Sequence, residues 1–422
     1  MTFGLPIINL FGLDMVSFTI DLGIFFSIYL IVTLSLNLEM GYAGVPNFGK
    51  LLFVAGGSSV ASTVAGRLAV YILHVNTFGN YSFYSSLAMQ KVDTVLQASP
   101  LLSIGVIVFS VAVGGAVGGA FGYIASFPAI RLKEDYLAML LLAAAQFFTI
   151  FLAAYPPLIG GYQPIAVPDP FLWAGTGRDV RDLLALAVVA VFAVLVYLYV
   201  ERVARSPMGR ALRAVRDNET ASEAVGKDNV ALRNRSLVIA SVLCGAAGAL
   251  FSLYLATNGQ ADWSVTGRLD WTIVPWIMVI IGGVGNNLGV AVGTLVFTFL
   301  IRLVTQGELA FGGLSLPMNI VYKGGTYVIQ YMPFNVDRIE YIIVGLALIV
   351  VLYLRPDGLI PEKSTFTMKR SKLLGMAPGP PAKPQQAGGP PGDGGGPRAL
   401  KERLRRIMES LRSSRAGSER QA

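Results

Sequence analysis

Two glycine–lysine pairs are where this 422-residue chain comes nearest to phosphate chemistry. A phosphate-binding loop needs G-x-x-x-x-G-K-[ST], in which backbone N–H groups and the lysine cradle phosphates and the hydroxyl reaches magnesium. Gly49-Lys50 is followed by Leu51, and Gly226-Lys227 by Asp228. Neither pair can do this work, so any nucleotide hydrolysis must come from separate subunits. Cys244 is the only cysteine and His74 the only histidine, which excludes a disulfide or a Cys/His metal cluster within one chain. Asp21 is the clearest ionisable residue inside an apolar run, and it is expected at the outer end of that run, within reach of lipid headgroups. Charge within a membrane marks ion and proton pathways, and its scarcity here argues against a proton- or sodium-coupled carrier.

The elements that carry these residues are oily. Hydrophobic residues make up 54% of the chain and charged residues 14%, against about 25% charged in soluble domains. Runs long enough to cross a bilayer, which takes roughly 20 helical residues, recur along it. The pattern predicts an all-α polytopic membrane protein with about nine spans, eight to ten being the range: Val16–Leu38, Phe48–Leu73, Leu101–Phe127, Tyr136–Tyr155, Leu183–Val200, Ser236–Thr257, Trp271–Gly283, Leu288–Leu303 and Tyr341–Leu354. The third contains GGAVGGAFG, Gly114 to Gly122, whose small-xxx-small spacing lets helix backbones approach closely. The N-terminus lacks a basic start and a small-residue cleavage pattern, so no removable signal peptide is expected.

The net charge of +8 lies mostly in Arg205–Arg235 and beyond Arg355, both beside spans. This is the positive-inside pattern rather than a nucleic-acid footprint. It places those segments and Arg131-Leu-Lys133 in the cytoplasm. The connections His74–Pro100, Pro156–Asp182, Gly259–Asp270 and Gln306–Glu340 then lie outside, with the N-terminus. Residues 1–364 form the membrane domain and 365–397 a Pro/Gly-rich linker that cannot bury enough apolar surface to fold. Residues 398–422 carry a basic amphipathic helix with Leu400, Leu404, Ile407, Met408 and Leu411 on one face. It suits an anionic membrane surface, a partner, or a tail that only aids solubility.

The polar loop 201–235 is punctuated throughout. Ser206-Pro207 reads as an N-cap and first helical residue. That helix presents Leu212 and Val215 as an apolar edge, with Arg210, Arg213 and Arg216 elsewhere, and ends near Asp217-Asn218. Asn218 caps a shorter helix over Glu219–Val225, which Gly226 stops through a left-handed cap. Asp228 or Asn229 starts the helix leading into the next span. Two short helices without a catalytic constellation suit a docking surface or a solvated loop whose arginines set topology.

RSPMGRALRAVRDNETASEAVG from Arg205 and GAAGALFSLY from Gly245, with LNLEMGYAGVPNFGKLLFVAGG from Leu36, FPAIRLKEDYLAMLLLA from Phe127 and IIGGVGNNLGVAVG from Ile280, resemble the membrane subunits of branched-chain amino acid ABC importers. The match runs from about residue 30 to 360. It departs from the family in the long segments His74–Pro100 and Gln306–Glu340 and in the extended tail. The resemblance implies a fold like the vitamin B12-importer type of ABC membrane domain, in the cytoplasmic membrane with a cytoplasmic tail. It implies a second homologous permease subunit, two ABC ATPase subunits that use ATP and magnesium, and an extracytoplasmic substrate-binding protein. The chain itself is expected to bind no cofactor. Arg210, Arg213, Arg216, Glu219, Ala221, Glu223, Ala224 and Gly226 then fall in the segment that docks on an ATPase. Leucine, isoleucine and valine are the implied cargo, with urea, short amides or another amino acid as alternatives. A secondary carrier and a membrane scaffold are the rival classes.

Asn37–Gly49 interrupts apolar sequence with Gly41, Gly44 and Pro46. Broken backbone at membrane depth survives where it is buried or lines a cavity. Asn37, Gly41, Gly44, Asn47 and Phe48 are therefore candidates for the translocation pathway, or for a tight turn between spans. Gly282–Asn287 reads as a sharp turn, and Asp135 as compensation of a helix dipole.

Overall fold

The computed structural model describes residues 9–10, 13–74, 81–132, 134–156, 165–175, 177–257, 269–305, 345–346, 349, 353 and 358–362. The chain divides into two compact units, Met1–Lys363 and Ser364–Ala422. The expected linker and tail helix lie outside the described residues, as does nearly all of the ninth expected span.

Among its described residues the first unit is helical, apart from a two-residue antiparallel pair, β1 (Asn9–Leu10) and β2 (Leu13–Asp14). Its helices are α1 (Met15–Leu36), α2 (Lys50–Ile72), α3 (Tyr81–Ala98), α4 (Pro100–Arg131), α5 (Glu134–Ala154), α6 (Arg178–Arg205), α7 (Pro207–Asp217), α8 (Glu219–Ala224), α9 (Asn229–Ala256), α10 (Val274–Gly282) and α11 (Asn287–Thr305). Among the described residues six helices are long and apolar enough to cross a membrane, beginning at Met15, Lys50, Pro100, Tyr136, Arg178 and Asn229. The apolar helices Asp270–Gly282 and Asn287–Leu303 are shorter. The protein is a multi-pass helical membrane protein.

Helices that are apolar on every face owe their place to small residues and shape rather than to an oily stripe. α9 crosses α2 and α4 at the centre. A Cβ added to Gly115 would lie 3.5 Å from Val242, one on Gly118 2.9 Å from the Gly245 Cα, and one on Gly122 2.5 Å from the Ser241 Cβ. The glycine run in α4 therefore forms the close seam its spacing predicts. α1 packs against α6, α9 and α11, while α10 and α11 form a hairpin.

Three expectations are corrected. The stretch after His74, read as a connection, contains α3, which is too polar to span. Its Ala88, Met89, Val92 and Leu96 recur at helical spacing and bury against Val70 and Ala166. A membrane helix also extends into the loop 201–235. α6 runs on to Arg205, with Glu201 and Arg205 paired at i,i+4 and 2.7 Å, while α9 begins at Asn229, the start its sequence indicates. Only 206–228 lies between them. Asp21 does not simply reach toward headgroups. It accepts a hydrogen bond from the Tyr254 hydroxyl at 3.0 Å and faces Arg302 across 3.6 Å.

Candidate functional site

α7 and α8 sit together at one end of the bundle, and local chemistry fixes both. The Ser206 hydroxyl accepts from the Gly209 N–H at 3.4 Å with Pro207 at the first helical position, and Gly209, Leu212 and Val215 are buried. The Asn218 side chain accepts from the Ala221 N–H at 2.9 Å. At the other end of α8, the Gly226 N–H donates to the Glu223 carbonyl at 2.8 Å and the Lys227 N–H to the Ser222 carbonyl at 3.1 Å. These are the two bonds of a Schellman cap. They require the left-handed backbone that Gly226 supplies, with φ +77°. Asp228 then caps α9, accepting from the Ala231 N–H at 2.9 Å.

The arginines divide. Arg210 is exposed and donates to the Arg205 carbonyl at 3.3 Å. Arg213 and Arg216 turn inward. Arg213 donates to the Ala204 carbonyl at 2.6 Å and lies 5.2 Å over the Tyr42 ring. Arg216 bonds the Gly41 carbonyl and pairs with Glu362 at 2.9 Å and Asp217 at 3.0 Å. Burial works against its charge, but the Glu362 and Asp217 carboxylates outweigh it and hold the guanidinium above the ordinary arginine range. α8 is held from behind. Asn229 donates to the Glu219 carbonyl at 2.9 Å, and Arg233 meets the Glu219 carboxylate at 2.8 Å. Its outer surface, with Ala221, Glu223, Ala224 and Gly226, is exposed, and Val225 beside it is 78% exposed.

The candidate pathway residues lie behind this surface. α1 continues into a π-helical turn, Asn37–Tyr42, before the irregular stretch to Gly49; such widened turns collect at functional places. Asn37 donates to the Asn287 side-chain oxygen at 2.9 Å and accepts from the Gly285 N–H at 2.9 Å, and Asn287 donates on to Glu201 at 2.8 Å. A side chain on Gly41 would press on Asn37 and on the Gly285 nitrogen, and Gly44, at φ +72°, lies against Arg216. The Asn47 carbonyl accepts from the Trp276 indole at 3.0 Å, and Phe48 stacks on that indole with centroids 4.2 Å apart. Asn37, Gly41 and Asn47 are buried, while Gly44 and Phe48 are partly so.

Sequence reasoning missed a buried ion pair in this turn. Lys50 Nζ lies 2.7 Å from Glu39 Oε2, and both side chains are 0% exposed. Lys50 also donates to the Ser35 hydroxyl at 3.3 Å, and that hydroxyl contacts the Cys244 sulfur at 2.9 Å. The signal was present as two opposite charges flanking a Gly/Pro break between apolar runs. Glu201 and Glu362, the acids that receive Asn287 and Arg216, were likewise not singled out.

Comparison with known proteins adds the following. The family model described as "Branched-chain amino acid transport system / permease component" matches residues 18–352. The probable branched-chain amino acid transport permease protein LivM of Methanocaldococcus jannaschii is 34% identical over 366 residues, covering 86% of this chain and 98% of its own length. The high-affinity branched-chain amino acid transport system permease proteins LivM of Salmonella typhimurium and Escherichia coli are 25% and 24% identical, each over 72% of this chain and 68% of their own. No solved structure matches.

Proposed function

The chain belongs to the branched-chain amino acid transport permease family, and from that membership we propose that it is one of two membrane subunits of an ATP-driven importer of branched-chain amino acids. A second homologous permease, two ABC ATPases and an extracytoplasmic binding protein complete the assembly. The α7–α8 end faces the cytoplasm, as its Arg202–Arg235 charge favours, and the ATPases alone handle ATP and magnesium.

One observation carries this reading: α8 is capped at both ends and anchored behind by Asn229 and Arg233, while its outer residues have open space in front of them. A rigid, exposed, small-residue helix fits a groove on another subunit. Movement of that subunit reaches the membrane helices by two routes. Glu219 pulls on α9 through Arg233, and α7 pulls on the turn after α1 through Arg213 and Arg216. Binding and release of ATP on the partners then bias the two orientations of the permease pair.

The test is co-reconstitution of the chain with its second permease, ATPases and binding protein, followed by uptake of leucine, isoleucine and valine into proteoliposomes. Ala224→Trp should leave the membrane helices folded and abolish ATPase docking, because an interface core tolerates added volume no better than a protein interior. If this variant assembles at the unaltered level and still couples hydrolysis to uptake, α8 is not the coupling element. Urea or short amides carried in place of the three amino acids would reassign the cargo.

A further inference from the structure

Away from the α7–α8 end, the outer parts of α1, α9 and α11 meet at an opposed pair of charges. Asp21 and Arg302 face one another at 3.6 Å, with side chains 18% and 16% exposed. That separation is too long for a hydrogen bond. Arg302 forms no hydrogen bond to a described residue, and its Nε is buried without a partner among them. A guanidinium carries five donors, and a buried one such as this Nε costs free energy when it has no partner. The Arg302 guanidinium rests on the Phe25 ring, 3.1 Å from its centroid. Tyr29 and Trp271 stack beside it at 5.2 Å, and Phe25 meets Tyr254 edge-on at 5.9 Å.

We propose that Asp21 and Arg302 form a transient binding site for the zwitterionic head of the cargo. The α-carboxylate takes the Arg302 guanidinium, the α-ammonium takes the Asp21 carboxylate, and the aliphatic side chain lies against Phe25, the partly exposed ring at the edge of the buried Tyr29–Trp271 stack. This rests on the amino acid importer reading and deepens it by naming the site and the head-group chemistry. The electrostatics suit a passage. With no cargo present the two charges face one another loosely, Asp21 also accepts from Tyr254, and Asp270 lies within electrostatic reach of Arg302, so neither is left bare in an apolar setting. A zwitterion replaces each partner by one of the same sign, so the pair parts without stranding a charge. Planar two-pronged recognition of a carboxylate is the task for which arginine is suited and lysine less so. Aromatic faces accept both the ammonium and the branched alkyl group. Because the resident pair competes for both charges, the cargo is held weakly enough to move on.

A simple staple between α1 and α11 makes the opposite prediction for paired substitutions. Breaking a shielded ion pair from one side strands a charge, whereas neutralising both sides relieves it. The complete importer, reconstituted with its ATPases and binding protein, is compared as the unaltered complex, Asp21→Asn, Arg302→Gln, the double variant and Arg302→Lys. The readouts are assembly by gel filtration, ATP hydrolysis stimulated by loaded binding protein, and leucine uptake. The proposal expects the double variant to assemble and hydrolyse ATP normally while uptake falls about ten- to a hundredfold, the scale of losing charge-assisted contacts. Arg302→Lys should recover part of that uptake. Should Arg302→Gln alone fail to assemble, the double variant and Arg302→Lys still decide the matter. Recovery of uptake in the double variant to the unaltered level overturns the site and leaves the importer reading intact. Absence of ATP-driven amino acid uptake by the unaltered complex overturns both.

Discussion

Replacing Lys50 by methionine tests the buried turn most directly. Lys50→Met keeps the length of the side chain and removes its charge, so Glu39 remains at 0% exposure without its cation. Apart from that contact, the Glu39 carboxylate oxygens accept no hydrogen bond of good geometry among the described residues. Of the neighbouring side chains, the Asn47 amide offsets part of the charge. Breaking a buried pair from one side costs about 3–5 kcal/mol, which is roughly two to four powers of ten in the unfolding equilibrium. Neutralising both, as Glu39→Gln/Lys50→Met, strands nothing and should return close to the unaltered stability, because the attraction lost is offset by desolvation no longer incurred. The assay is unfolding of the detergent-solubilised protein, followed by the fraction that stays monodisperse on gel filtration after heating. The expected order is unaltered protein, then the double variant, then either single variant well below both. If Lys50→Met is as stable as the unaltered protein, or if the double variant is worse than the two singles combined, the pair is not what holds this turn.

Three further outcomes follow from the geometry. Gly226→Asn should leave ATP-coupled uptake nearly unchanged, whereas Gly226→Val should lower it. Open space surrounds that position, so the penalty is the backbone's alone, roughly 1–2 kcal/mol for a left-handed residue other than glycine or asparagine. In a Cys244→Ala background, Arg178→Cys should react with an impermeant thiol reagent added outside cells and Lys227→Cys should not; the reverse pattern would invert the proposed orientation. Between α2 and α4, burial pushes the Asp93 carboxyl up from 3.8 to about 6, against the opposing hydrogen bond from the Asp169 N–H. The folded state thus binds a proton that the unfolded one releases, and the contact between α3 and Ile165–Phe171 should weaken as pH rises from about 4 to 6. Hydrogen exchange of those amides should show this slope in excess of the intrinsic rate, and Asp93→Asn should reduce it, leaving the part due to Asp169, whose carboxyl burial also raises.

What was legible in the sequence was local. Ser206-Pro207, Asn218, Gly226 and Asp228 each begin or end a helix through bonds to residues two to four positions away, so α7, α8 and the start of α9 could be read closely. Membrane spans were legible because hydropathy is also local. The rest needed tertiary partners. Glu39 and Lys50 are ordinary charges until the turn folds them together, and nothing near Arg216 in sequence foretells Glu362, which lies beyond the last described helix. α3 was passed over because it is too polar to span, although its buried edge repeats at helical spacing. α6 was set too short because hydropathy falls before the helix does. Glu201–Arg205 pairing, and the absence of a breaker before Ser206-Pro207, carry α6 onward.

The position of the missed pair bears on how a push on α8 would travel. Arg213 and Arg216 tie α7 to the Tyr42 ring, the Gly41 carbonyl and Glu362; Asn37, Gly285, Asn287 and Glu201 close a second set of bonds; Glu39–Lys50 fixes where the turn re-enters the membrane. The Asn37 and Glu39–Lys50 bonds join buried groups, and opening them would leave a polar atom unsatisfied at about 1–3 kcal/mol, while those of Arg213, Arg216 and Glu201 are partly exposed and cost less to open. The cheapest response to force is for α7, the turn and the Gly283–Asn287 corner to move together. Displacement then has to be absorbed where helices meet without interlocking side chains. The seam of α4 against α9 comes nearest to this, since Gly118 meets only the Ser241 and Gly245 backbone, and Gly114 and Gly122 meet no side chain larger than Ala249 and Ser241. Sliding there trades similar contacts for similar ones, the condition for shear between packed helices. A bulky residue at Gly118 should therefore obstruct that sliding even in a complex that assembles, whereas a change on α8 should act by preventing the push from arriving.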